Sequence, residues 1–172
     1  MGKETETAVG IVLKEGLKKA VIVDVDGTLV NVSSIRHHVR KALKPDGTYT
    51  KKNFDAFHKE SIDCPAIWST LDKVHSFWSM ERCDILIVTA RGEPYRKTTE
   101  KWLEKYAVPC TELFMRKEKD YRADVDVKRD IYKEIQDRNR WKVVYAIDDN
   151  PSIVRLWQDL GIYVFVVPGW ED

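Results

Sequence analysis

The stretch AVIVDVDGTL at residues 20–29 is an apolar run that stops abruptly in two carboxylates, a glycine and a threonine. Ala20, Val21, Ile22 and Val23 are continuous rather than alternating and mostly β-branched, as in a central strand of a parallel sheet covered on both faces. Asp24 and Asp26 have only Val25 between them, so in extended backbone both side chains leave on the same side. Gly27 permits a tight turn, and Thr28 can cap or bind an oxyanion. An Asp-Gly turn between two strands is the plain alternative. Charge speaks against it, because two carboxylates this close repel by about 4 kcal/mol at about 4 Å with an effective dielectric near 20. A hard divalent cation with oxygen ligands turns that repulsion into binding.

Around this strand the chain has the make-up of one globular domain: 172 residues, 43% apolar and 33% charged. A net charge of +1 gives no global field toward nucleic acid or membrane, so any such partner must be recognised locally. No apolar run reaches membrane-span length, the N-terminus lacks a signal-peptide core, and Cys64, Cys83 and Cys110 show no metal-ligand spacing. The expectation is a cytoplasmic protein whose cysteines are free and act as small buried hydrophobes.

Residues 1–19 are polar and lysine-dotted and are expected to form a leader or short hairpin before a domain over residues 20–172. Residues 30–82 are the least regular. Pro45, Asp46 and Gly47 mark a turn, a short helix over 53–62 points Phe54, Phe57 and Ile62 inward, and Pro65 opens a helix with Ile67, Leu71, Val74 and Trp78 on one face. This segment is expected to supply a cap over the site and the crossover to the next strand. Its histidines, His37, His38, His58 and His75, lack carboxylate partner spacing and are not assigned to a metal.

From Asp84 onward strands and helices alternate. Strands are expected over 85–88, 112–115, 142–147 and 162–167, with helices starting at Glu93 and Pro94, at an Asp124 N-cap, and at Asn150 with Pro151. The fold class is therefore α/β, a doubly wound, Rossmann-like, mainly parallel sheet of about five strands with helices on both faces and a small helical insertion after the first strand. Trp102, Trp157, Tyr106 and Tyr132 fall at core spacings, whereas Trp170 is freer.

Ligands of such sheets bind at the carboxyl ends of the strands. There the sequence places Asp24 and Asp26, Thr89, and the pair Asp148 and Asp149. Lys128 shares a helix face with Ile131, Tyr132 and Ile135, and an inward lysine either snorkels or faces a negative partner.

The DxDGT pattern resembles the first motif of the haloacid dehalogenase superfamily, and Thr89, Lys128 and IDDN at 147–150 match its other motifs in order. The resemblance implies a phosphatase working through an aspartyl-phosphate. Asp24 is then the nucleophile, Asp26 the general acid and base, and Thr89 and Lys128 stabilise the transferring group. Mg2+ is held by Asp24, the Asp26 backbone carbonyl, Asp148 and Asp149.

Three further segments, TARGEPYRKTTEKWLE, MRKEKDYRADVDVKRDI and IDDNPSIVRLWQDLGI, are similar to phage-type polynucleotide kinase 3′-phosphatase domains, with Thr-Ala-Arg here where those read Ser-Gly-Arg. That likeness implies a nucleic-acid repair activity on 3′-phosphate ends, with Arg91, Arg116 and Arg122 binding phosphate or sugar. Ion pairing of these arginines with Glu93, Glu118 or Asp120 is the structural alternative. No GxxxxGK[ST] motif is present, so no ATP-binding kinase module is expected in this chain. Two other functions stay open at this point: a phosphatase of mononucleotides or another small phosphorylated metabolite, and a non-catalytic phosphate-binding module.

Overall fold

The computed structural model describes residues 16–170 together with the backbone of Thr5–Glu6 and Val12–Leu13, which pair antiparallel. The rest of the expected leader lies outside the described residues. Five strands, β1 (Lys18–Val23), β2 (Asp84–Gly92), β3 (Glu112–Arg116), β4 (Trp141–Asp148) and β5 (Tyr163–Val166), form one sheet in the order β3-β2-β1-β4-β5. Every neighbouring pair is parallel. The order reverses direction between β1 and β4, which opens a crevice at the carboxyl end of the sheet beside β1.

Because strand side chains alternate, β1 feeds two cores. Val21 and Val23 pack with Leu71, Val74, Ile85, Ile87, Trp102 and Leu103 on the face covered by α2 (Trp68–Ser79) and α3 (Arg96–Lys105). Ala20 and Ile22 pack with Val127, Ile131, Ile135, Ile153 and Trp157 on the face covered by α4 (Asp124–Asp137) and α5 (Pro151–Asp159). Burial on both faces is what the unbroken apolar run requires.

The segment after β1 divides in two. Helix α2 is the crossover to β2. The chain before it makes an excursion that is pinched at its base, where Asn31 N donates to Pro65 O at 2.9 Å and Ile67 N donates to Leu29 O at 2.8 Å. The excursion carries a 3-10 turn, Ser33–His38, and the short helix α1 (Phe54–Glu60), capped by Asn53. It is fastened to the α3 side by Trp102 Nε1 donating to Cys64 O at 2.9 Å and by Tyr95 Oη donating to Asp55 at 2.7 Å.

Several local expectations are corrected. Phe54 and Trp78 are exposed: α1 buries only Phe57, and Trp78, in the last turn of α2, continues the face of Leu71 and Val74 beyond the point where burial stops. Pro65 does not open α2. It belongs to the neck of the excursion, and the helix starts at Trp68. Asp124 is the first residue of α4 rather than its cap, since Ala123 holds the cap position and the Asp124 carboxylate is spent on Arg116. Cys64 and Cys83 are buried, but Cys110 is exposed. No helix among the described residues is long and apolar enough to cross a membrane.

Candidate active site

Both strands that flank the crevice end in acid. β1 stops at Val23, and Asp24 N still donates to Ile147 O at 3.0 Å, which holds Asp24 against the end of β4. β4 ends in Asp148, followed at once by Asp149 and by Asn150, whose side chain accepts from Ser152 N and caps α5. Asp24, Asp148 and Asp149 are all buried, and each offers a carboxylate oxygen within 4.8 Å of the other two. The sequence placed these residues 124 and 125 positions apart (148 − 24 and 149 − 24), and the sheet order brings them together.

Lys128 reaches this group from the inward face of α4. Its Nζ donates to Asp24 Oδ1 at 2.7 Å and to Asp148 Oδ2 at 2.8 Å, and the residue is only 3% exposed, so the lysine does not snorkel to solvent. Trp157 Nε1 also donates to Asp148 Oδ2, at 3.3 Å, while Asp148 Oδ1 accepts from Asn150 N at 3.1 Å. Asp149 is held by Thr28 Oγ1 at 3.2 Å and by Arg36 at 3.4 Å. Gly27 is required beneath it: the backbone there has φ +85°, and a Cβ would sit 2.1 Å from Asp149 Oδ2.

Asp26 has a different setting. Although it follows Asp24 by two positions, it has left the strand, and Arg91 grips it with Nε at 2.8 Å and a second nitrogen at 2.6 Å. Arg91 is itself buried and also donates to Thr99 Oγ1 at 3.2 Å. Thr89, 1% exposed, accepts from Arg91 N at 3.2 Å, which ties the expected hydroxyl donor to the same arginine.

The two carboxylates diverge in acidity for stated reasons. Burial lifts the Asp24 carboxyl well above the usual range, with Asp148 and Asp149 adding to the rise and Lys128 pulling against it. Asp149 is pushed up to about 6 by burial and by Asp148. Burial would also raise Asp26, but the Arg91 guanidinium outweighs it and holds that carboxyl below its ordinary value. Burial would lower the Lys128 ammonium, yet Asp148 and Asp24 keep it charged and above its usual pKa.

The residues fit a divalent cation. Three buried carboxylates face one another, with the Lys128 ammonium between two of them and the Arg36 guanidinium 3.4 Å from the third, so three acidic groups meet two cations in an all-oxygen donor set. Asp24, Asp148 and Asp149 are thus a Mg2+ site in composition and spacing. The Asp26 side chain points to Arg91 and is outside this group.

Of the remaining arginines, Arg116 is the last residue of β3 and Arg122 lies in the loop that follows it. Arg116 donates to Ala90 O, Asp120 O and Arg122 O and to the Asp124 carboxylate. Arg122 is paired with Asp120 at 2.7 Å and Asp130 at 2.9 Å. One residue of the site escaped the sequence reading, and one histidine set aside there lies near it. Arg36 lies in the irregular excursion, where no periodicity marked it. His58, on α1, has its pKa lowered by burial against the opposing pull of the Asp26 charge, and its Nδ1 is buried without a hydrogen-bond partner.

Comparison with known proteins adds an independent line. The sequence profile described as the polynucleotide kinase PNKP phosphatase domain matches residues 18–169. A protein of Autographa californica nuclear polyhedrosis virus, described as a bifunctional polynucleotide kinase/RNA ligase, is 27% identical over 145 residues, which is 84% of this chain and 18% of that protein. Among solved structures, a chain of a Pnkp1/Rnl/Hen1 complex superposes with TM-score 0.73 at 23% identity, covering 92% of this chain and 49% of that one. A haloacid dehalogenase family enzyme of Bacteroides thetaiotaomicron, in complex with magnesium and inorganic phosphate, superposes with TM-score 0.52 at 12% identity, covering 91% of this chain and 96% of that one. At these identities the superpositions establish the fold. The chain spans about half or less of the Pnkp1 structure and of the viral relative.

Proposed function

The chain belongs to the polynucleotide kinase PNKP phosphatase-domain family, within the haloacid dehalogenase superfamily, and from that premise we propose that it removes the 3′-phosphate from nucleic-acid ends. The observation that carries the proposal is the meeting of Asp24, Asp148 and Asp149 around Lys128 at the sheet's topological switch point.

In this reaction an Asp24 oxygen attacks phosphorus in line with the departing ester oxygen. The phosphorus–oxygen bond to the alcohol breaks as the bond to Asp24 forms, and Asp26 gives the leaving alcohol its proton. A water then attacks the aspartyl-phosphate, Asp26 takes its proton, and Asp24 is released with inorganic phosphate. The Arg91 clamp sets a condition on this role. Asp26 is ionised in the free protein and acquires its proton when the phosphate's negative charge arrives beside it and competes for the guanidinium. Lys128 neutralises charge on the nucleophile side, and Thr89 donates its hydroxyl to the transferring group. Mg2+, held by Asp24, Asp148, Asp149 and the Asp26 carbonyl, supplies Lewis-acid polarisation and charge neutralisation when bound.

Arg91, Arg116 and Arg122 enter the proposal as phosphate or sugar contacts. Arg116 and Arg122 reach substrate only by exchanging Asp124, Asp120 or Asp130 for a phosphate oxygen. The pinched excursion from residue 31 to 66 is the cap that limits what enters, and it contributes Arg36. Mononucleotide phosphatase activity uses the same centre, and the net charge of +1 favours it. A polymer preference is expected to weaken as salt rises, whereas a mononucleotide's does so less.

The test is a panel of 3′-phosphorylated oligonucleotide, 3′-mononucleotide and a generic aryl phosphate, run with Mg2+ and with chelator on the wild type and on Asp24→Asn. Turnover that requires Mg2+ and disappears in Asp24→Asn while the circular dichroism spectrum is kept is the expected result. Substantial turnover by Asp24→Asn would show that another group is the nucleophile.

A further inference from the structure

Tyr121 has no part in the chemistry above and almost none in packing. It is 91% exposed, more than any other large apolar or aromatic side chain among the described residues, and none of them gives it a hydrogen bond or a ring contact. Tyr163, also exposed, rests by contrast on Tyr145 and Phe165. The backbone beneath Tyr121 is nevertheless fixed. One Arg116 nitrogen donates to Asp120 O at 3.0 Å and to Arg122 O at 2.7 Å, the carbonyls on either side of Tyr121, and Arg122 N donates to Asp120 Oδ1 at 3.1 Å. A flat ring is thus held out into solvent by a braced turn, which lowers the ordering cost of binding with it.

The loop 117–123 leaves β3 at the carboxyl end of the sheet, the same end as Asp24, Thr89 and Asp148, and runs straight into α4, which carries Lys128. Arg116 ties it to the centre as well, because its Nε donates at 2.9 Å to the carbonyl of Ala90, the residue after Thr89. β3 lies two strands from β1, so the loop stands about 10 Å across the sheet from Asp24, at about 4.8 Å per strand. A stacked single strand covers that distance in about three nucleotides, at about 3.4 Å each. Charge suits a polyanion. Lys117 and Lys119 are exposed and enter no ion pair among the described residues, Asp120 is taken by Arg122, and Glu118 leaves the loop with a free charge of +1 (two lysines less one glutamate).

We infer that Tyr121 stacks a base upstream of the terminal nucleotide, with Lys117 and Lys119 on the neighbouring backbone phosphates, so that this loop grips the strand whose 3′-phosphate lies at Asp24. The inference rests on the proposed reaction for where the phosphate lies, and it deepens that proposal: a mononucleotide fills the centre and leaves the loop empty, whereas a strand engages both. A tyrosine face accepts any base, so the contact selects strand length and not sequence.

The test measures binding, which keeps it separate from turnover. Titration calorimetry with Mg2+ compares a tetranucleotide with a mononucleoside, both carrying a non-hydrolysable 3′-methylenephosphonate, on the wild type, Tyr121→Ala, Tyr121→Phe and Tyr163→Ala. The wild type is expected to favour the tetranucleotide, and the ratio of the two affinities to fall about 5- to 150-fold in Tyr121→Ala, matching one lost stacking contact. Tyr121→Phe keeps the ring and is expected to keep most of the ratio, and Tyr163→Ala, on the opposite edge strand, to leave it unchanged. In the double variant Lys117→Ala, Lys119→Ala the log–log salt slope for the tetranucleotide is expected to flatten by about 1.4, two phosphate contacts at about 0.7 each. An unchanged ratio in Tyr121→Ala, an unchanged slope in the lysine variant, equal weakening of both ligands, or a wild type without preference for the tetranucleotide overturns the inference. Hydrolysis is read separately: a wild type that cleaves no phosphate ester sinks the proposed reaction, while a Tyr121-dependent ratio in that same protein still supports the strand contact.

Discussion

Asp24 and Asp26 are separated by one valine, yet the fold sends them into opposite electrostatic settings. The Lys128 side of the site holds three buried carboxylates and one ammonium, and burial drives protons onto it. The Arg91 side holds one carboxylate against one guanidinium in a two-pronged grip, and its proton is driven off. The contrast teaches that identical side chains two positions apart acquire different chemistry from what faces them. A nucleophile must stay ready beside a cation, while an acid and base must change its protonation with the substrate.

The sharpest way to break this contrast is to remove the buried ammonium on the crowded side. Lys128→Met leaves Asp24 and Asp148 buried without their ammonium, and the metal-free chain is expected to lose about 3–5 kcal/mol in urea unfolding. Mg2+ is expected to restore part of that loss, because it compensates the same charge. A loss under about 1 kcal/mol would mean that water or protons already neutralise the cluster and that Lys128 contributes little.

The Arg91 side responds less, since the Asp26 side chain is 20% exposed and can regain water. Arg91→Met is expected to cost about 2 kcal/mol at neutral pH. Because the folded pKa of Asp26 is depressed, the clamp's stabilisation is present above the unfolded carboxylate pKa and is lost as the pH falls through the folded value. The wild-type advantage over Arg91→Met should therefore shrink in acid. An advantage that stays constant down to pH of about 2 would assign it to packing around Thr99 instead of charge.

The smallest effect sharpens the comparison through pH. Asp149 is raised to about 6, so its contribution to the metal-free fold is complete below the unfolded carboxylate pKa and is lost as pH rises through about 6. Mg2+ binds the ionised form. The Tm difference between magnesium and chelator should then be several degrees larger at a pH of about 7.5 than at about 5. His58, whose lowered pKa works in the opposite direction, is present in both arms and cancels. A difference that does not change with pH would remove Asp149 from the cation site.

Much of this architecture could be read in advance. Unbroken apolar runs of strand length can be buried only inside a parallel sheet with helices on both faces, so the five strands and their order of appearance followed from periodicity. Lys128 was found because it interrupts an apolar stripe, and Asp148 and Asp149 because they end a second apolar run. The excursion resisted for the opposite reason. Its elements are short and irregular and are held by contacts to distant residues, Trp102 on Cys64 and Tyr95 on Asp55, that no local pattern encodes. Arg36 and the exposure of Phe54 were hidden with it.

The amino-acid order alone determined which groups can do chemistry here and that they sit at strand ends, because side-chain type and period are local properties. Which of them meet was decided only in three dimensions. The reversal of strand order beside β1 joins Asp24 to Asp148 and Asp149, and the turn at Gly27 separates Asp26 from them and hands it to Arg91. Charge acts through space over a few ångströms, so the distances set by tertiary packing fix the partner and protonation of each carboxylate.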